Sequence, residues 1–283
     1  MSYSLNKLYS VVGLSKQAVH QYARRQETFD KKLLNLMFEA DVLRDEHPGC
    51  GVRKMYNTLM PDFIGRDRFV DAFMDLGYRL KRSKNYRRTT YSSAAANYKN
   101  LIKGMEVSAP STIWQSDITY IYVGERFYYA VFIIDVYTKK IVGYQVSDHM
   151  RATANINAMK MALKEHKAPL VHHSDRGSQY ICKDYIKLLN EGNIKISMAQ
   201  SAQDNAYAER INRTIKEEYL DHWKPKNFEQ LKRCLTKAVD NYNNKRPHNN
   251  LGNLNPAKFE QNWNISETIN RPIIKIFNNE INI

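Results

Sequence analysis

The sequence predicts an α/β fold: a core built on a mixed five-stranded sheet with helices on both faces, preceded by helical segments. Three observations predict it. Apolar residues from Leu5 to Leu76 recur at helical spacing, broken by glycine and proline. From Ser108 the pattern changes to β-branched and aromatic runs joined by short turns. After Val146, helical and extended runs alternate.

Bulk properties narrow the class. The chain has 283 residues with 43% hydrophobic content, enough for a packed core and long for one domain. Lysine and arginine number 43 against 29 acids, a net charge of +14. Such an excess, clustered as it is here, points to a polyanion partner, nucleic acid before membrane. Cys50, Cys182 and Cys234 lie far apart and form no paired motif, against a disulfide framework or structural zinc. The first residues show no apolar signal core, and the run Tyr128 to Ile134 is too short to span a bilayer. A cytoplasmic, nucleoid-associated protein with no membrane partner is expected.

Taken in order, Leu5, Leu8, Tyr9 and Val12 share a helical face; Gly13 breaks it, and Ala18, Val19 and Tyr22 resume it. This is a helix-turn-helix layout. Residues 27–45 read as a separate charged amphipathic helix, stopped by His47-Pro48-Gly49. A second helix-turn-helix follows: Val52, Met55, Tyr56 and Leu59, a break at Pro61, then Phe69, Val70, Phe73 and Leu76, ending at Gly77. Arg66 and Arg68, near the start of its second helix, suit contact with base edges or phosphates. Arg79, Lys81, Arg82, Lys84, Arg87 and Arg88 then form a basic arm interleaved with Tyr78, Tyr86 and Tyr91, suited to a DNA backbone and its bases. A linker rich in serine and alanine follows.

Strands are expected at Ile113–Val123, Arg126–Tyr137 and Ile141–Val146. A helix over Ala152–His166, a strand at Leu170–His173, a helix over Lys183–Asn190 and a strand at Ile194–Met198 complete the sheet. A helix through Glu209 follows. This order, β-β-β-α-β-α-β-α, is that of a ribonuclease-H-like fold. The expected divisions are 1–26, a first helix-turn-helix segment; 27–91, a second with the basic arm; 92–107, a linker; 108–222, the core; and 223–283, a helical extension and tail.

Three carboxylates stand out. Asp117 lies mid-way along the first strand, Asp175 at the end of the fourth, and Glu209 within a later helical pattern. A carboxylate at a strand end and one on a helix can meet around a divalent cation. Two such ions, about 3.5–4 Å apart, can clamp the attacking and leaving oxygens of a phosphodiester. Asp135, at the end of the second strand, is a rival. His172 and His173 are adjacent in a strand and point to opposite faces, so they do not readily share one ion.

The runs Trp114-Gln115-Ser116-Asp117-Ile118-Thr119-Tyr120, His173-Ser174-Asp175-Arg176-Gly177-Ser178-Gln179-Tyr180 and Asp204-Asn205-Ala206 with Glu209 resemble integrase-core transposases of bacterial insertion sequences of the IS-three type. So do Asn241-Tyr242-Asn243, Arg246-Pro247-His248 and, upstream, Gly51-Val52-Arg53. The resemblance implies an Asp-Asp-Glu metal site of Asp117, Asp175 and Glu209 holding two Mg²⁺ ions, with Mn²⁺ able to substitute. It reads Asp135 as structural, and adds Lys216, two helical turns beyond Glu209, as a DNA contact; Arg246, in the loop after the helix at Phe228–Asn243, is expected to be another. It implies strand cleavage to a 3′-hydroxyl and strand transfer on double-stranded DNA, at element terminal repeats and target, by a homo-oligomer. The interval between Asp175 and Glu209 is slightly short for the family, the shortfall falling in Gln200–Gln203. No leucine zipper is evident, so the chain resembles the second-frame product, with a first-frame partner or fusion expected. A ribonuclease H and a DNA-binding regulator are the rival classes: the helix-turn-helix segments and basic arm weigh against the first, the intact carboxylate set against the second.

Overall fold

The computed structural model describes residues 4–80, 98–267 and 271–276. The chain divides into two compact units, one comprising Met1–Glu46 with Cys50–Lys81, the other His47–Gly49 with Arg82–Ile283.

The first unit is helical: α1 (Leu5–Val12), α2 (Lys16–Glu46), α3 (Val52–Leu59) and α4 (Arg66–Asp75). Gly13 ends α1 in the left-handed region at φ 72°, a conformation that costs glycine nothing. The two separate helices expected over residues 15–45 are one helix of 31 residues. Nothing between Ala23 and Thr28 breaks it: Arg24, Arg25, Gln26 and Glu27 are good helix formers, and Gln26 and Glu27 bond to Asp30 and Lys31 one turn on. Because α1 buries no residue, the expected first helix-turn-helix is not a packed hairpin. The second one is. Leu36 and Ala40 of α2 pack with Val52 and Met55 of α3 and with Phe69 and Phe73 of α4. The two phenylalanine rings stack with centroids 4.1 Å apart.

The second unit holds β1 (Glu106–Val107), β2 (Ile113–Val123), β3 (Arg126–Asp135), β4 (Ile141–Ser147), α5 (Thr153–Glu165), β5 (Val171–Ser174), α6 (Lys183–Glu191) and β6 (Lys195–Met198). After a 3₁₀ turn come α7 (Ala206–Ile215), a π-helical turn at Lys216–Leu220, α8 (Asp221–Trp223), α9 (Phe228–Asn244), α10 (Pro256–Ile265) and β7 (Ile274–Lys275). Five strands form one sheet in the order β4-β3-β2-β5-β6; β2-β3-β4 are antiparallel, and β5 and β6 run parallel to β2. This is the mixed, ribonuclease-H-like sheet expected. β3 stops at Asp135 rather than Tyr137 because the Asp135 carboxylate accepts the backbone N–H groups of Tyr137 and Thr138 and turns the chain.

Alternation along the strands makes two apolar faces. Trp114, Val131 and Ile133 pack on Ala158 and Ala162 of α5 and Tyr185 and Leu189 of α6. Phe132 and Ile134 pack on Ala208, Ile211 and Ile215 of α7 and on Leu231, Leu235 and Tyr242 of α9. Helix α9 thus shares the core's own apolar cluster, although residues 223–283 read as an extension. Gly143 lets α5 approach β4, since a Cβ there would collide with the carbonyl oxygen of Ala158.

Candidate active site

The sheet register brings two of the expected carboxylates together. β5 pairs with β2 only from Ile113↔Val171 to Ser116↔Ser174. Asp117 and Asp175 are each the next residue, so on parallel neighbouring strands they leave the paired region side by side and on one face. Gln115 shares that face with Asp117, and α7 lies across it.

Side chains from β2 fasten the start of α7. Gln115 Nε2 donates to the Asp204 carbonyl at 3.2 Å, and its Oε1 accepts from Ala208 N at 3.4 Å. Asn205 Nδ2 donates to the Ser116 carbonyl at 3.0 Å. Asp204 closes the preceding turn by accepting from Gln200 N and Ser201 N at 2.8 and 3.0 Å. These bonds fix the helix that carries Glu209. One turn beyond Glu209, Asn212 Nδ2 donates to Asp117 Oδ2 at 2.8 Å. Asp117 Oδ1 accepts from Ile118 N at 2.9 Å, and Asp175 Oδ1 from Gly177 N at 3.0 Å.

The electrostatics reflect the crowding. Burial, then the Asp175 charge and more weakly that of Glu209, push Asp117 up to about 7 against the hydrogen bonds from Ile118 and Asn212. Burial raises Asp175, opposed by the Gly177 N–H. Glu209, exposed at the helix surface, is raised by desolvation, lowered by Arg213 and raised by Asp175. Asp117 is thus sensitive to both other charges, and Glu209 to Asp175. Among the described residues no three His, Cys, Asp or Glu side chains stand in a ready-made metal cage; the Asp117 and Asp175 oxygens accept from protein N–H groups. The donor chemistry fits a hard cation: three carboxylates and no thiol, with the charge on Asp117 under-compensated. One nitrogen of each neighbouring imidazole is engaged elsewhere: His172 Nε2 meets Tyr185 Oη at 3.2 Å and His173 Nδ1 meets Ser197 Oγ at 2.8 Å, on opposite faces.

The rival Asp135 is a turn cap. It is 2% exposed, and its carboxylate accepts from Ser111 N at 2.6 Å, Tyr137 N at 3.0 Å, Thr138 N at 2.8 Å and Thr138 Oγ1 at 3.0 Å. Its saturated oxygens leave little for a cation.

The expected DNA contacts are placed variously. Arg66 is exposed at the start of α4 with Nε 2.8 Å from Asp67, and the exposed Arg68 lays its guanidinium 4.5 Å from the Phe29 ring centroid. Arg79 is exposed. Lys81, Arg82, Lys84, Arg87 and Arg88 lie outside the described residues. Lys216 opens the π turn and donates to the Tyr120 carbonyl at 3.3 Å, where burial lowers its pKa and Asp221 and Asp117 oppose. Arg246 is not at the surface: it is 8% exposed and forks onto Glu218 through Nε and Nη2, both at 2.7 Å. Sequence reasoning missed Asn212; its signal is position, on the helical face that already carries Glu209 and Lys216.

Comparison with known proteins decides the family. Integrase core domain families match residues 107–203 and 191–256. The Shigella sonnei insertion element IS600 31 kDa protein is 33% identical over 89% of this chain and 97% of its own length. The chain belongs to the insertion-sequence transposases with an integrase core. The transposase for insertion sequence element IS629 from Shigella sonnei is 33% identical over 78% of this chain and 76% of that one. The putative transposase for IS986/IS6110 of Mycobacterium tuberculosis is 30% identical over 74% and 81%. Among solved structures, the HTLV-2 integrase catalytic core domain in complex with magnesium aligns with a TM-score of 0.46 and 19% identity, over 57% of this transposase and 99% of that chain. No helix among the described residues is long and apolar enough to cross a membrane.

Proposed function

We propose that this transposase binds the ends of its insertion sequence, cleaves DNA to a 3′-hydroxyl and joins that hydroxyl to a second phosphodiester. Its active site comprises Asp117, Asp175 and Glu209. The observation that carries the reading is the register Ser116↔Ser174, after which the two aspartates emerge together under the helix bearing Glu209.

The three carboxylates would hold Mg²⁺, or Mn²⁺ in its place, as a pair of ions. Bound there, such ions would supply activation of the attacking oxygen and charge stabilisation of the leaving one. The protein orients and discharges the donors. Asn212 and Ile118 N hold the two oxygens of Asp117, and Gly177 N holds Asp175. With its pKa raised to about 7, the Asp117 carboxyl would share its site with a proton near neutral pH, and a bound cation would favour the carboxylate form. Gln115 and Asn205 hold the first turn of α7, so Glu209 is presented by a fixed helix. Arg66, Arg68 and Arg79, with Lys81, Arg82, Lys84, Arg87 and Arg88, supply affinity for double-stranded DNA, and Lys216 approaches the substrate from the π turn that follows α7. Homo-oligomer assembly on DNA and a first-frame partner or fusion complete the reading.

The test is direct. The protein, incubated with Mg²⁺ or Mn²⁺ and DNA ending in its own element's terminus, yields nicked and joined products. Asp117→Asn, Asp175→Asn and Glu209→Gln each reduce both products to background while DNA binding persists. Cutting and joining at near wild-type rates by Glu209→Gln would remove this assignment.

A further inference from the structure

Helix α2 has two apolar faces, and among the described residues the fold buries one. Leu36 and Ala40 are buried, with Leu33, Met37 and Leu43 packed beside them against α3 and α4. On the other side Leu34, Phe38 and Val42 stand 64%, 71% and 50% exposed. Their spacing of four residues makes one stripe over two turns, rather than scattered surface hydrophobics. We propose that this stripe is the seam on which a second copy of the chain docks, α2 against α2, antiparallel about Phe38.

The charges on that face select the occupant and the direction. Lys31 and Asp45 are exposed, opposite in sign, and each seven residues from Phe38, two turns away along the stripe. A two-fold axis at Phe38 stacks Phe38 on its equivalent and sets Leu34 against Val42 of the partner subunit. It also sets Lys31 against Asp45 of the partner subunit. The patch is self-complementary, as a two-fold interface requires. A parallel pairing would instead set lysine on lysine and aspartate on aspartate, which repel. Lys31 already lies 2.7 Å from Glu27, but that pair is exposed on both sides, and a surface pair of this kind is readily shared with a second acid. Three apolar side chains per copy make a small contact. The free protein therefore self-associates weakly, and the seam closes when two copies are held near one another. This inference stands apart from the catalytic reading, since it needs neither metal nor DNA.

Sedimentation of the full chain without DNA, across rising micromolar concentrations, tests it. A reversible monomer–dimer equilibrium is expected. Phe38→Glu removes the dimer, while far-ultraviolet circular dichroism and melting temperature stay as in the parent, because the side chain is exposed. Lys31→Asp and Asp45→Lys each weaken dimerisation, and the double exchange restores it. A second measurement is independent of affinity: under mild oxidant, Phe38→Cys forms a disulfide-linked dimer well above the background of Cys50, Cys182 and Cys234, whereas the off-stripe variant Glu39→Cys does not. A chain that stays monomeric and gives no excess crosslink at position 38 overturns the proposal. So does a dimer indifferent to Phe38→Glu, or a double exchange that fails to restore what the single changes lose.

Discussion

At the scale of single residues, two kinds of buried titratable group pull stability in opposite directions over one pH range. Burial holds His172 down at about 3 and His173 at about 4. Below about pH 6.5 the unfolded chain takes up these protons while the folded chain does not, so acid removes stability, by a few kcal/mol, as pH falls towards 4. Asp117, raised to about 7, acts the other way in metal-free protein: the folded form binds its proton more tightly than the unfolded form, so stability falls as pH rises from about 4 to 7. His172→Gln should therefore flatten the acid limb of a melting-temperature profile recorded in chelator, and Asp117→Asn should steepen it. Added Mg²⁺ should raise the melting temperature more at pH 8 than at pH 6, because protons compete for Asp117. A Mg²⁺ effect independent of pH would mean that Asp117 is not a ligand. Asp135→Asn separates structure from chemistry at the neighbouring acid: replacing one accepting oxygen by an amide group should cost about 1–3 kcal/mol in unfolding titrations yet leave strand cutting intact.

Helix α7, which carries Glu209, is an element held at both ends. Gln115 and Asn205 tie down its start, and the π turn that follows is held through Glu218 by the buried Arg246. Asn205→Ala frees the Ser116 carbonyl and should cost about 1–2 kcal/mol of stability, with a fall in cutting rate that exceeds any fall in DNA affinity. Arg246→Ala removes a bidentate partner from Glu218 and should destabilise by about 3–5 kcal/mol in chemical unfolding, while the salt slope of DNA binding stays unchanged. A shallower slope with unchanged stability would return Arg246 to the DNA surface. The long helix α2 teaches a different lesson: capping residues mark where a helix can start, and only the missing breaker between Ala23 and Thr28 tells that it continues.

Across the whole molecule, the charge of +14 makes salt the decisive variable. Replacing Lys81, Arg82, Arg87 and Arg88 together by alanine should weaken binding to all DNA sequences alike and flatten the salt dependence by about one unit of slope per lost contact. Arg66→Ala and Arg68→Ala should instead reduce discrimination between terminal and random DNA, by about 1–3 kcal/mol for each true base contact, in competition assays. The sheet was legible because strand alternation and Gly-containing turns are local signals. β2, β4, β5 and β6 fall within about a residue of their expected bounds, and the Asp117–Asp175 pair follows from strand order. What sequence could not show is long-range: that Gln115 and Asn212 reach between β2 and α7, that Arg246 finds Glu218, and that α9 closes the sheet. Each depends on a partner far along the chain, and neither composition nor periodicity encodes which partner is met.

The pairing of β5 with β2 also separates two kinds of evolutionary freedom. Because the two aspartates are aligned by Ser116↔Ser174, the length of chain between them has no bearing on their spacing. Connections such as the one from α5 to β5 can lengthen or shorten by drift at little cost. Within Val171–Ser174 the tolerance vanishes: a one-residue insertion there would rotate Asp175 to the opposite side of the sheet. Indels should therefore accumulate in the loops of viable copies of such an element and be purged from these four residues, even where every substitution at His172 or His173 is tolerated.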